Sequence, residues 1–238
     1  MLDKRLYLSK MSIFDVLTPD DLTELDNIAQ MTHSHALPKG SLIQTPETAQ
    51  DGLFFLKEGM LRLYRINSEG KQFTVGILTM GNIFGEIDTF SFGTKELYIE
   101  TIEDTFICSV SKYNFEVFLA KRPLLAMKFL SELSKILKER DEMLMQLALG
   151  DVRDRILHLL IKLSERFGVE EEGKVRIDLA LTHQEVANMV GATREVVSVL
   201  LNSLMKDGII QTGRKSISIS PVRLAEKLEL VGGMANDF

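Results

Sequence analysis

Two charged residues open an apolar helical repeat in the C-terminal part of the sequence. The stretch MVGATREVVSVLLNSLMKDGII, residues 189–210, places Arg194 and Glu195 where a helix with a buried face needs neither of them. An arginine can donate two hydrogen bonds to a guanine, and a glutamate can accept one from the amino group of a cytosine. The pair therefore suits a helix that reads base edges in the major groove of DNA. The alternative interpretation is a solvated helix face.

Two short helices across a glycine turn are predicted around this pair. Thr182 and Glu185 have the spacing of a capping box, in which a hydroxyl and a carboxylate each satisfy a free backbone amide at a helix start. After a turn at residues 191–192, Thr193 can cap the second helix. The inward face of that helix is formed by Val197, Leu200, Leu201 and Leu204. This arrangement is a helix-turn-helix, in which the first residues of the second helix reach the bases.

The remaining surface of this motif carries the residues that we predict to contact DNA. Base reading is predicted for Arg194, Glu195, Ser198 and Val199. Of these, Val199 offers apolar contact alone, for example to a thymine methyl group. Contacts to the DNA backbone are predicted for Thr182, His183, Gln184, Thr193, Asn202, Arg214 and Lys215. The last two lie at the tip of a predicted hairpin, GIIQTGRKSISIS, which suits a wing that touches the phosphates.

The chain is acidic overall but locally basic. A net charge of −6 would argue against a nucleic-acid partner, because phosphate binding usually leaves a basic footprint. Between residues 183 and 223 the balance reverses: Arg194, Lys206, Arg214, Lys215 and Arg223 stand against Glu185, Glu195 and Asp207. We therefore expect a small basic face whose DNA binding depends modestly on salt.

The first half of the chain has the pattern of a β domain. From about residue 37 to residue 112, short apolar stretches alternate with turn residues. Apolar and polar residues alternate on both sides of residues 67–70, Asn-Ser-Glu-Gly, as in a hairpin with one buried face. Several such strands at this spacing favour a sandwich or a barrel. Residues 8–31 are predicted to be helical and to pack on its outside.

A long helix is predicted for residues 123–148, which contain no Gly and no Pro after Pro123. Two adjacent apolar columns recur at seven-residue spacing: Phe129, Ile136 and Met143, and Leu130, Leu137 and Leu144. One column would face the same helix of a second copy, and the other would cover the barrel of its own subunit. Burial in the core of a monomer is the alternative, because Arg140 interrupts the pattern. Glycine is unfavourable in a helix interior and aspartate is a favoured N-cap, so a domain boundary and a hinge are predicted at Gly150 and Asp151.

Composition limits the remaining classes of protein. With 238 residues, 45% apolar and 26% charged, the chain has the composition of an ordinary globular protein with two domains. Cys108 is the only cysteine, which excludes an internal disulfide, a cysteine-held iron–sulfur cluster within one chain and a cysteine-rich zinc site. No apolar run of about 18 residues occurs, so neither export nor membrane spanning is expected, and a cytoplasmic location is predicted. No catalytic motif is present, and we predict that the chain is not an enzyme.

Two further groups of residues could carry chemistry. His33 and His35 would lie on the same side of a strand, as in a metal site or a cupin-type enzyme, but no third ligand follows at a suitable spacing. No metal is therefore expected, and a cupin-type metal enzyme is the rival function. Cys108 lies in a strand-like stretch and is expected to be half-buried, as a core thiol rather than a redox sensor.

Three stretches together carry a resemblance to a known family. They are GNIFGEI at 81–87, GDVRDRIL at 150–157 and LTHQEVANMVGATREVVSVLLNSLMKDGII at 181–210. With them the chain resembles the cyclic-AMP receptor/fumarate–nitrate reductase regulator (Crp/Fnr) superfamily of transcription factors. The resemblance implies an α+β fold in three parts: an effector-sensing, eight-stranded β jelly roll of the cyclic-nucleotide-binding type with flanking helices over 1–122, a dimerisation helix over 123–149 and a winged helix-turn-helix DNA-binding domain over 150–238. It also implies a homodimeric activator that binds an inverted repeat of double-stranded DNA and contacts RNA polymerase.

The resemblance also implies where a signal would bind. The pocket would be lined by Gly85, Glu86, Glu96, Leu97, Ile136 and Arg140. In the cyclic-AMP branch, Arg and Ser stand where this chain has Glu96 and Leu97, and the Thr-Ser pair that reads adenine is replaced here by Arg140 and Asp141. A carboxylate repels a phosphate, so cyclic AMP is not the expected signal. The chain lacks the cysteines that would hold an iron–sulfur cluster, and it lacks the histidine that binds haem in the carbon-monoxide-sensing branch. No cofactor is therefore expected. A regulator that is active without an effector is the alternative.

Overall fold

The computed structural model describes residue 8 and residues 11–31, 36–87, 90–171, 173–213 and 215–221. Four side chains considered above lie outside the described residues: His33, His35, Arg214 and Arg223. Contacts divide the chain into two units, Met1–Asp141 and Glu142–Phe238. This division falls within a long helix rather than at Gly150, and the predicted domain bounds stay predictions.

Two antiparallel sheets form the β part of the first unit. Their strands are β1 (Gln30–Met31), β2 (Leu42–Gln44), β3 (Gly52–Glu58), β4 (Met60–Ile66), β5 (Gln72–Thr79), β6 (Ile83–Ile87), β7 (Phe90–Ser91), β8 (Tyr98–Thr101) and β9 (Phe106–Val110). One sheet has the order β1-β9-β3-β6-β7 and the other the order β2-β8-β4-β5. The resemblance implies eight strands, whereas the described residues of the first unit form nine, of which β1 and β7 are only two residues long.

The hairpin predicted at Asn67 joins β4 and β5. Leu61 and Leu63 of β4 are buried, with one residue between them, in the cluster that lies inside the two sheets. The Asn67 Oδ1 atom accepts hydrogen bonds from the backbone N–H groups of Glu69, at 3.0 Å, and of Lys71, at 2.9 Å. These two bonds hold the turn, which is the usual role of asparagine in such a position.

The helices of the first unit pack against the sheet that contains β3 and β9. A 3-10 turn (Ser12–Phe14) precedes α1 (Pro19–Ile28), and α2 (Lys112–Ala120) and α3 (Pro123–Leu149) follow β9. The cluster between them, here called the helix-facing cluster, includes Phe14, Phe55, Cys108, Phe115, Phe118 and Phe129. Cys108 is fully buried rather than half-buried as predicted, because β9 lies between two other strands and its thiol belongs to this cluster.

The helix α3 buries one of its two apolar columns within the first unit. Phe129 is buried, and Ile136 is half-buried against the helix-facing cluster. Leu130 and Leu137 of the other column are exposed. The column that contains Phe129 therefore covers the β part of its own chain, as predicted.

The second unit contains one buried core between three helices and a small sheet. Its elements after α3 are α4 (Val152–Phe167), β10 (Gly168–Glu171), β11 (Lys174–Ile177), α5 (His183–Val190), α6 (Arg194–Lys206), β12 (Ile210–Gly213) and β13 (Ser216–Ile219). The sheet order is β10-β11-β13-β12. Two strands follow α4, and the sequence pattern does not indicate the first of them, β10, because all its residues are exposed and show no apolar alternation. Across the described stretches, no helix is both long and apolar enough to span a membrane.

Candidate DNA-binding surface

The first helix of the motif, α5, begins at the predicted capping box. The Thr182 Oγ1 atom accepts a hydrogen bond from the Glu185 N–H at 3.2 Å, and the Glu185 carboxylate accepts one from the Thr182 N–H. The box fixes the first turn of α5 and so the place from which His183 and Gln184 project. The Gln184 Nε2 atom donates to the Asn188 Oδ1 atom at 2.8 Å, so one of its amide hydrogens is used within α5.

A glycine makes the tight turn between α5 and α6. Gly191 has a φ of 66°, in the left-handed region that a residue without Cβ adopts at least cost. Its N–H donates to the Ala187 carbonyl and closes α5. Thr193 then caps α6, with its Oγ1 atom accepting from the Val196 N–H at 3.4 Å. These contacts confirm the predicted cap and set the start of α6 at Arg194.

The second helix, α6, has one buried and one accessible face. The buried face consists of Val197, Leu201 and Leu204, with Leu200 at its edge. The accessible face carries Arg194, Glu195, Val199 and Asn202, with Ser198 partly buried. Val199 is 68% exposed, which leaves its methyl groups free to contact another molecule. The structure thus places the four predicted base-reading residues on one accessible face, and their contact with bases stays a prediction.

A hydrogen-bonded chain links α5 to α6 on this surface. The His183 Nδ1 atom lies 2.7 Å from the Ser198 Oγ atom. The Ser198 Oγ atom in turn donates to the Arg194 carbonyl at 2.8 Å. The sequence predicts His183 as a DNA-backbone contact and misses its contact with Ser198, because the two residues meet only after α5 and α6 have packed together.

The predicted wing is the hairpin formed by β12 and β13. Gly213 pairs with Ser216, and Lys215 at the tip is exposed with a φ of 57°. The Lys215 carbonyl accepts a hydrogen bond from the Leu181 N–H at 3.1 Å. This bond ties the tip to the residue that precedes Thr182, so the tip and the start of α5 lie side by side.

Ion pairs neutralise part of the charge of the second unit. Arg153 donates to Asp207 at 2.7 Å, and Arg176 donates to Asp178 and to Glu171, each at 2.8 Å. Hydrogen bonds to the Asp178 and Glu171 carboxylates raise the pKa of the Arg176 guanidinium above its ordinary value. Neither arginine belongs to the predicted DNA contacts, so these ion pairs do not neutralise any positive charge on the predicted DNA-binding surface.

Part of the predicted effector pocket gathers at β6 and the loop 92–97. The Gly85 N–H donates to the Thr94 Oγ1 atom at 2.9 Å. The Glu86 Oε1 atom accepts a hydrogen bond from the Lys95 N–H at 2.8 Å. The loop therefore closes over the end of β6 and uses one carboxylate oxygen of Glu86.

The other predicted pocket residues lie in different places. The Arg140 Nη2 atom of α3 donates to the Phe92 carbonyl at 3.1 Å, which brings Arg140 to the same loop. Glu96 is exposed, whereas Leu97 is buried in the cluster inside the two sheets. Ile136 packs instead against the helix-facing cluster. The structure therefore joins Glu86 and Arg140 through one loop but separates Leu97 from Ile136.

Lys95 is a charged residue of this loop that the sequence does not single out. Its Nζ atom lies 3.3 Å from the Asp51 Oδ1 atom, and its backbone N–H holds Glu86. The next residue, Glu96, has the opposite charge. No spacing rule indicates these contacts, because each joins segments that are distant along the chain.

The alternative function, a cupin-type metal enzyme with His33 and His35 as ligands, is not tested, since both histidines lie outside the described part of the chain. Within the described part, no group of three or more His, Cys, Asp or Glu side chains could hold a metal ion. The expected absence of metal, haem and iron–sulfur cofactors stays a prediction as well.

Two family models match the chain. A cyclic nucleotide-binding domain matches residues 34–122, and a Crp-like helix-turn-helix domain matches residues 154–226. The first match covers β2 to β9 of the two sheets, and the second covers the motif of α5 and α6. The predicted α+β fold class, with a β domain followed by helices and a C-terminal helix-turn-helix, is confirmed.

Known proteins are similar to this chain over most of its length. The chain is 27% identical over 213 residues to the CRP-like cAMP-activated global transcriptional regulator of Mycobacterium tuberculosis, covering 90% of this chain and 94% of that protein. It is 28% identical over 185 residues to the global nitrogen regulator of Synechocystis sp., covering 76% and 82%. A solved CooA mutant from Carboxydothermus hydrogenoformans matches with a TM-score of 0.70 and 27% identity, covering 84% of this chain and 86% of that chain. Both relatives are named as regulators, in agreement with the prediction that this chain is a regulator and not an enzyme.

Proposed function

The chain belongs to the Crp/Fnr superfamily of transcription regulators, and from this premise we propose that it is a homodimer that binds an inverted repeat of double-stranded DNA in response to a signal. The accessible face of α6 is the observation that carries the proposal. Arg194 and Glu195 stand at its first turn, where the capping contacts of Thr193 hold the helix start. A helix presented in this way can enter the major groove with its N-terminal residues foremost.

The exposed column of α3 supports the dimer. Leu130, Leu137 and Leu144 are 57%, 62% and 63% exposed. Full burial of a leucine side chain is worth about 1.5–3 kcal/mol relative to exposure, so three exposed leucines at a seven-residue repeat favour a partner helix. A second copy of α3 supplies the same column. A two-fold dimer would then read half-sites about one helical turn apart.

The signal is proposed to act at loop 92–97 and not to be cyclic AMP. The exposed carboxylate of Glu96 opposes a phosphate, and the guanidinium of Arg140 already donates to a carbonyl of the loop. The Mycobacterium relative is named as cAMP-activated, and this chain departs from the cyclic-AMP branch at Glu96, Arg140 and Asp141.

The junction between α3 and α4 is the proposed hinge. The Gly150 N–H closes α3 with a hydrogen bond to the Gln146 carbonyl at 3.0 Å. Asp151 caps α4, because its Oδ1 atom accepts from the Asp154 N–H at 2.9 Å. Each helix has its own terminal contact, so the angle between them can change without breaking either. Transcription activation through RNA polymerase and a cytoplasmic location complete the proposal on the strength of the family.

Selection of binding sites from random duplex DNA tests the proposal. The wild-type protein should enrich an inverted repeat with a G·C pair in each half-site. Arg194→Ala should cost about 1–3 kcal/mol per half-site and lose the preference at that base pair. Arg166→Ala, at an exposed arginine in the last turn of α4, is the control and should select the same motif as wild type. An Arg194→Ala variant that selects the wild-type motif at full strength would contradict the assignment of α6.

A further inference from the structure

The donor and the acceptor can be deduced for both hydrogen bonds of Ser198, the one with His183 and the one with the Arg194 carbonyl. A carbonyl oxygen cannot donate, so the Ser198 hydroxyl hydrogen must point to the Arg194 carbonyl, 2.8 Å away. The Ser198 hydroxyl has one hydrogen, and that hydrogen is thereby used. The contact of 2.7 Å between Ser198 Oγ and His183 Nδ1 therefore needs a hydrogen on Nδ1. Both the imidazolium and one of the two neutral tautomers of His183 supply it.

These two hydrogen bonds leave Ser198 able only to accept a hydrogen bond from another molecule. Its Oγ atom has two lone pairs, one of which accepts the hydrogen from His183. The second lone pair remains, and no hydrogen remains. Ser198 therefore presents a hydrogen-bond acceptor on the face of α6, whereas an unrestrained serine can either donate or accept.

We propose that His183 is a specificity-positioning residue, which makes Ser198 select a base with an amino group, cytosine or adenine. In the major groove, cytosine N4 and adenine N6 donate hydrogen bonds, whereas guanine and thymine offer acceptors at the corresponding edge. The inference rests on the proposed DNA-binding function and deepens it, because it names the base class read at one position. His183 acts through Ser198, and the capping box at Thr182 holds it in place.

The local structure explains why His183 can do this. His183 is the first residue of α5, directly after the N-cap Thr182, and the reciprocal contacts with Glu185 restrain its backbone. Ser198 lies one turn into α6, four residues after Arg194, where a back-bond to the preceding turn holds its side chain in one orientation. Both ends of the contact are therefore fixed by the helices that carry them.

Binding-site selection with matched variants provides the functional test. Wild type should enrich cytosine or adenine at one base of each half-site, and Ser198→Ala should remove the preference at that base while keeping the rest of the motif. His183→Leu leaves the Ser198 hydroxyl held by the Arg194 carbonyl alone, and without the polarising bond from His183 that single bond can be exchanged for one to a base. Guanine and thymine should then enter at the same base, and discrimination there should fall about 2- to 10-fold. His183→Asn keeps an amide donor near the position of Nδ1 and should retain the wild-type preference. His158→Leu, at the other described histidine, is the control and should change nothing.

The tautomer of His183 can also be measured directly in the free protein. Nitrogen-15 NMR of the imidazole at about pH 8 should show Nδ1 protonated in wild type and a shift toward the Nε2-protonated form in Ser198→Ala. An unprotonated Nδ1 in wild type would overturn the inference, as would a His183→Leu variant that selects the wild-type base with unchanged strength. A wild-type protein that enriches no motif would contradict the proposed function itself, so the two failures are distinguishable.

Discussion

The helix-turn-helix motif and the loop 92–97 differ in how their residues are positioned. In the motif, each helix start is fixed by a threonine hydroxyl and an amide three residues later: Thr182 with Glu185, and Thr193 with Val196. Each of these contacts joins residues only three apart in the sequence, so residue type and spacing are enough to predict it. The position of the accessible face of α6 is therefore determined largely by neighbouring residues.

The loop depends instead on residues that are far away in the sequence. Gln44 is buried and donates from Nε2 to the Thr94 carbonyl at 2.7 Å and to the Leu97 carbonyl at 3.1 Å. Arg140 holds the same loop from α3. The helix starts of the recognition surface are therefore set by local contacts, whereas the sensing region exists only when several distant segments have packed together.

The largest effect is expected from changes in the exposed leucine column of α3, which takes part neither in the helix caps of the motif nor in the long-range contacts of the loop. Leu137→Glu combined with Leu144→Glu would place two carboxylates in the proposed dimer seam. Sedimentation should then show a monomer, and affinity for an inverted repeat should fall by about 100-fold or more, because the two half-sites are no longer bound together.

The same variant also tests whether the loop depends on the dimer. Amide hydrogen exchange at residues 92–97 should be unchanged, because Arg140 and Gln44 hold the loop within one chain. Glu132→Lys and Lys135→Glu together reverse an exposed ion pair on α3 and serve as the control, which should remain dimeric. A Leu137→Glu, Leu144→Glu protein that is still a dimer would show that α3 is not the interface.

The next largest effect is expected from Gly85→Ala in the sensing region. Gly85 has a φ of 104°, and a Cβ atom there would collide with the Gly52 carbonyl and lie 2.9 Å from the Phe54 ring. Strain and overpacking should together lower the free energy of unfolding of the first unit by about 2–4 kcal/mol. Hydrogen exchange resolved by residue would measure this, with α5 and α6 unaffected.

Gly70→Ala supplies the matched control for that prediction. Gly70 has a φ of 77°, but a Cβ atom there would meet no other atom within 4 Å. Backbone strain alone should cost about 1 kcal/mol. Equal costs at Gly85 and Gly70 would mean that the packing of β6 on β3 contributes little.

The same difference in contact range explains what the sequence predicts and what it misses. The cap at Thr182, the turn at Gly191 and the cap of α4 at Asp151 follow from residue type and spacing, and all are found. The contact of His183 with Ser198 and the burial of Leu97 depend on tertiary packing, which no periodicity reports. Alternation predicts the hairpin at Asn67 but fails for β10, whose residues are all exposed.

A smaller, local effect is expected from Thr182→Ala in the motif. Loss of the N-cap should destabilise the second unit by about 1 kcal/mol, because the Glu185 N–H loses its side-chain acceptor. Exchange should rise first in the opening turn of α5. Thr182→Ser keeps the hydroxyl and should restore most of the stability. An effect of Thr182→Ala that spread into the two sheets would contradict the local character of the motif.

The smallest effect is expected from cyclic AMP, since at millimolar concentration it should give no measurable heat in calorimetry and no rise in DNA affinity. The Glu96 carboxylate is exposed in the loop, and a phosphate placed there meets repulsion instead of a counter-charge. Glu96→Arg supplies the missing charge at a position whose side chain packs against no core, so it tests the charge without disturbing the fold. Binding gained by this variant would show that charge alone excludes the nucleotide. Tight binding by the wild-type protein would mean that the loop rearranges around the phosphate, so that Lys95, now beside Asp51, or Arg140, now bonded to the Phe92 carbonyl, supplies the positive charge.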